Sequence, residues 1–159
     1  MKDLLTDVQF KLQQSVPELK YVDEDWGQLD YFSSNPPVKW PCALIDITNA
    51  SWSNTLKTVQ MGLVQIKIRV ADLRISNTSG RAPQNQKDKS FAIFDLLKSI
   101  HKSLHGWTGH KHYSALIRTS STRLKRSDGI RIYEITYTTE LIDNSTEVIP
   151  ATFKFSQTT

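Results

Sequence analysis

The chain has 159 residues, a net charge of +4 and a hydrophobic fraction of 38%, which suits one soluble domain with a respectable core. Its single cysteine, Cys42, excludes an intramolecular disulfide and a cysteine-rich metal site, and no apolar run approaches the ~20 residues that span a bilayer. A pI of about 9.2 is too mild to imply nucleic acid without a clustered basic patch. Residues 1–5 lack the apolar core of a signal peptide, so the chain is expected to be made and kept in a reducing cytoplasm until it joins an assembly.

The chain opens on a helix pattern. Leu5, Val8, Leu12 and Val16 recur at helical spacing, and Pro17 stops the run. Residues 19–22 suit a short extended piece, Asp23-Glu24-Asp25 a solvated acidic turn, and Trp26, Leu29, Tyr31 and Phe32 follow no clear period. Pro36, Pro37 and Pro41 frame an extended approach to a buried strand over residues 42–48.

A polar stretch, residues 49–58, then leads to the cleanest pattern in the chain. Val64, Ile66, Ile68 and Val70 alternate with Gln65, Lys67 and Arg69, as in a strand with one buried face. The short connection predicts antiparallel pairing of these two strands. Residues 76–89 are almost free of apolar side chains and read as a mobile loop. Phe91, Phe94, Leu97, Ile100 and Leu104 mark a second helix, with Asp88 or Ser90 as its cap; Phe94, Leu97 and Leu104 are expected to pack on the sheet.

Residues 114–125 and 130–142 form a hairpin turning at Ser127-Asp128-Gly129. Tyr133, Ile135, Tyr137, Thr139 and Leu141 alternate along its return strand. The expected architecture is α+β: a mainly antiparallel sheet with two helices packed on one face, in the order α-β-β-α-β-β. Residues 1–143 form a single domain and residues 144–159 a C-terminal extension.

Three features invite a functional reading. Arg118, Arg123, Lys125, Arg126 and Arg131 cluster toward the hairpin tip, to meet phosphates or an acidic protein surface, or to protect a sheet edge from stray pairing. His101, His105, His110 and His112 share one window, yet no carboxylate lies between Lys98 and Ser127, and a solvated helix end explains them without a metal. Val148, Ile149, Phe153 and Phe155 have no evident place in the sheet; they suit a terminal strand on their own domain or an arm to an adjacent subunit. No nucleophile elbow, phosphate loop or convergent carboxylate pair is present, so no enzyme, cofactor or metal is expected.

In the order of these patterns the chain resembles the tail terminator proteins of long-tailed phages, the lambda-type terminator and related minor tail proteins. The resemblance runs over residues 2–142. It comprises the opening helix, the Pro-preceded strand Pro41-Cys42-Ala43-Leu44-Ile45 and the strand Val64-Gln65-Ile66-Lys67-Ile68-Arg69-Val70. The helix over residues 91–104 and the Arg-rich hairpin with its Asp128-Gly129 turn and Tyr-rich return complete it. The long loop and the extension depart from the usual brevity of such proteins, and no family residue role is carried over.

The resemblance implies a non-enzymatic virion protein. It would form a ring, a hexamer, that caps the tail tube, ends its polymerisation and joins the tail to the head connector. Implied partners are other copies of itself, the tail tube protein and the head–tail connector, with DNA only as passing cargo and no membrane. The implied place is the head-proximal end of the tail, after assembly in the host cytoplasm. A head–tail adaptor, or a nucleic-acid-binding module using the basic hairpin, are the alternatives.

Overall fold

The computed structural model describes residues 1–32, 35–73, 76–109 and 113–146. Its elements are α1 (Lys2–Ser15), β1 (Tyr21–Glu24), α2 (Gln28–Tyr31), β2 (Cys42–Leu56), β3 (Val59–Leu73), α3 (Gln84–Leu104), β4 (Ile117–Leu124) and β5 (Ile130–Asp143). The strands form one sheet in the order β1-β2-β3-β5-β4. β1 runs parallel to β2, and every other neighbouring pair is antiparallel. The architecture is therefore the α+β arrangement that the patterns imply, with a fifth strand and a one-turn helix added.

The sheet is buried on both faces at one end and bare at the other. Ala43 and Ile45 of β2, Val64, Ile66, Ile68 and Val70 of β3 and Ile135, Tyr137 and Leu141 of β5 pack beneath α1 and α3 in the main core. Leu4, Val8, Leu12 and Val16 are the buried stripe of α1, so Leu4 rather than Leu5 occupies the first core position. On the opposite face Cys42, Leu44, Ala71, Ile130 and Ile132 form a smaller core around Leu29, with Val38 and Trp40 packed against it. That is why residues 42–45 read as a continuous apolar run rather than an alternating one.

Four expectations are corrected. Residues 49–58 are not a polar connection: β2 continues to Leu56 and meets β3 at Lys57-Thr58, making a long hairpin whose end extends beyond the core. Polar side chains are tolerated there because most of the hairpin end is exposed. Asp23 and Glu24 belong to β1 rather than to a turn, and the Asp25 side chain is largely buried against Arg69. α3 starts at Gln84 after Pro83, so residues 84–89 are helical and Asp88 and Ser90 lie inside the helix instead of capping it.

The fourth correction is the register of α3. Its buried stripe is Ser90, Ile93, Leu96, Ile100 and Leu104, with Leu97 packed beside it, whereas Phe91 and Phe94 are 44% and 50% exposed. The two phenylalanines mimic a core stripe because they are three apart. Branched side chains fill the space over the sheet instead, and Phe94 rests edge-on against Tyr133 with ring centroids 5.7 Å apart.

Candidate assembly surface

The basic hairpin divides into two groups. β4 is an outer edge of the sheet and is exposed along its length. Arg118 and Arg123 project from it, Lys125 follows it, and none of the three forms an ion pair with a carboxylate among the described residues. Arg126 is engaged within the chain. Its guanidinium donates to Asp128 (Nε to Oδ2, 3.0 Å), to Asp30 Oδ1 (2.7 Å) and to the Leu29 carbonyl (2.8 Å).

Arg126 is one end of a charge chain that the sequence does not announce. Asp30 also accepts from Arg69 Nη1 (2.8 Å) and Nη2 (3.2 Å), and Arg69 Nη1 reaches Asp25 at 3.0 Å. The order Asp25–Arg69–Asp30–Arg126–Asp128 ties the loop before α2, the centre of β3, α2 and the β4–β5 turn together. Hydrogen bonds from Arg69 hold the Asp30 carboxyl below its ordinary range, and those from Arg126 do the same for Asp128. Gln28, fully buried, closes the same corner by accepting from the Trp26 amide and donating to the Glu24 carbonyl. Distant parts of the chain supply these partners, and only the three-in-a-row carboxylates hinted at the corner.

Arg131, the fifth basic residue of the hairpin, points to the helical face. It forms a bidentate pair with Asp72 and donates to the Ser90 carbonyl at 2.6 Å. Beside it lies a cleft of about 490 Å³ between the first turns of α3 and the Trp40-Pro41 corner. At the opposite end of the sheet, Met61, Leu63 and Ile142 leave an exposed apolar strip on one face of the long hairpin. On the other face the Trp52 ring lies across Gly62, where an added Cβ would stand 2.7 Å from it.

The His101 and His105 rings pack at a tilt of 39° with centroids 4.8 Å apart, and His105 Nδ1 accepts from the Arg118 amide at 3.2 Å. Burial, then the charge of Arg118, pushes the His101 pKa down. His110 and His112 lie outside the described residues, as do Val148, Ile149, Phe153 and Phe155. Among the described residues no three His, Cys, Asp or Glu side chains converge. Burial raises the Cys42 thiol to about 12, which leaves it protonated and unreactive at neutral pH.

No family model matches the chain, and no curated protein does. Among solved structures it is similar to a chain of the "Virion of native gene transfer agent (GTA) particle", with a TM-score of 0.54 and 10% identity over 89% of this chain and 96% of that one. At that identity the likeness is one of fold, and it extends over nearly the whole of both chains.

Proposed function

We propose that this protein is a structural component of a phage-type virion, a ring-forming subunit that caps the tail tube, ends its polymerisation and joins it to the head connector. The observation that carries this reading is the end-to-end fold likeness to a chain of a gene transfer agent virion. Exposed apolar and basic features at separate places on one sheet support it. A cyclic ring needs two different faces on each subunit. The candidates are the edge strand β4 with Arg118, Arg123 and Lys125, and the long hairpin with Met61, Leu63 and Ile142.

In this reading the partners are other copies of the chain in a hexamer, the tube protein and the connector, with DNA passing through as cargo. Sedimentation across a wide concentration range, together with electron microscopy of tails, tests it. A concentration-dependent ring found at the head-proximal tail end supports the proposal. A strict monomer absent from tails overturns it. The nucleic-acid reading draws on Arg118, Arg123 and Lys125 alone, since Arg126 is engaged within the chain. DNA affinity falling steeply with salt would favour that reading.

A further inference from the structure

We infer that the cleft beside α3 receives the segment around Phe153-Lys154-Phe155 of a neighbouring copy, a contact that rests on the self-assembly reading. The cleft has an apolar floor of Trp40, Leu73, Ile93 and Leu96. Its volume of about 490 Å³ lies in the range that buries a drug-sized molecule, ample for an aromatic side chain. Its lining carries Glu18, Asp72 and Asp95 against Lys89 and Arg131; Arg131 pairs with Asp72, which leaves two carboxylates and one ammonium outside any ion pair among the described residues. An apolar occupant with one positive charge balances that lining. Phe153 and Phe155 supply the apolar part, on one side of an extended chain. Lys154 carries its charge on a flexible four-carbon stem that can bend to the carboxylates.

Reach decides whose segment it is. Thr146 donates its hydroxyl hydrogen bond to the Thr58 carbonyl at 3.0 Å, so the described part of the chain ends beside the tip of the β2–β3 hairpin. The cleft is at the other end of β3, where Asp72 and Leu73 line it. Asp72 is fourteen residues beyond Thr58 along β3, roughly 46 Å at strand rise. Phe153 is seven residues beyond Thr146 and Phe155 nine, at most about 25 and 32 Å of extended chain. The segment falls short of its own cleft but can enter that of the next copy. An exit at one end of the subunit and a receptor at the other make a head-to-tail contact, which repeats around a ring.

The test mixes two full-length variants, Phe155→Cys and Ala92→Cys, under mild oxidation; Ala92 lines the cleft and is exposed, while the native Cys42 is buried. The expected result is a disulfide between unlike chains that neither variant forms alone. Lys154→Glu should weaken assembly about tenfold or more in sedimentation, and Glu18→Lys with Asp95→Lys in the same chain should restore it. A ring that assembles without the mixed disulfide and ignores Lys154→Glu overturns this contact and leaves the ring standing. An intramolecular disulfide in a dilute chain carrying both cysteines also overturns it. A strict monomer at every concentration overturns the contact and the ring together.

Discussion

Arg69 shows how much one side chain on a strand can decide. It projects from the face of β3 opposite the helices, and its charge is held between Asp25 and Asp30. Asp25 and Arg69 side chains are only 8% and 15% exposed, so truncating one strands the other in a poorly hydrated place. Arg69→Met is expected to cost about 2–4 kcal/mol in urea unfolding, and Arg69→Met with Asp25→Asn less than the sum of the two. The acid limb follows the same carboxylates. Asp30 and Asp128 have lowered folded pKa values. Their contribution is full above the ordinary carboxylate value of ~4 and is lost as pH falls through the lowered ones. Asp30→Asn should therefore flatten the loss of melting temperature between about pH 5 and pH 2. An unchanged acid limb would place the acid sensitivity elsewhere.

At the scale of the element, α3 and the long hairpin separate patterns that look alike in the chain. Ile100 is fully buried and Phe94 half exposed, so Ile100→Ala should cost about 2–4 kcal/mol and Phe94→Ala about 1 kcal/mol or less. The reverse order in thermal or denaturant unfolding would return Phe94 to the core. The hairpin offers a second test. Trp52 covers Gly62, and a β-branched side chain there meets the ring. Gly62→Val is expected to lift Trp52 off the strand, seen as a red shift in the Trp52 contribution to fluorescence, at a cost of about 1 kcal/mol. With Trp52→Phe as background, Gly62→Val should give no shift.

For the whole molecule, the two ends of the sheet differ in burial. One end is buried on both faces and locked by the charge chain, so it carries the stability of the fold. The other is the exposed hairpin, beside whose tip Thr146, the last described residue, is held. Removing residues 147–159 should therefore leave the melting temperature of the dilute chain within a few degrees while weakening assembly. In the proposed contact, each phenylalanine would contribute on the order of 1.5–3 kcal/mol before ordering costs, enough to shift an assembly equilibrium and too little to hold a ring alone. Sedimentation of the shortened chain reads this directly. Assembly at unchanged concentration would remove the extension from the interface.

What the sequence determined by itself was the strand alternation, the hairpin turn and the presence of the two long helices. Val64, Ile66, Ile68 and Val70 sit buried along β3 because alternation leaves a strand no other way to hide them. Gly129 turns the β4–β5 hairpin at φ 80°, as Asp128-Gly129 indicated. α1 lies where apolar spacing put a helix, and α3 covers residues 91–104 as that spacing indicated but begins earlier, at Gln84. The rest was decided by partners far away in the chain. Nothing local distinguishes Phe94 from Ile93 as the core residue of α3, since both repeat at helical spacing and only the shape of the sheet beneath selects the branched side chain. Nothing local reveals that Asp25 is buried, because its cation arrives from β3, or that Arg126 turns inward to Asp30. Exposure of the polar hairpin also depends on where the helices end over the sheet. Ion pairs and faces are properties of neighbours in space, which residue order along a chain specifies only after it has folded.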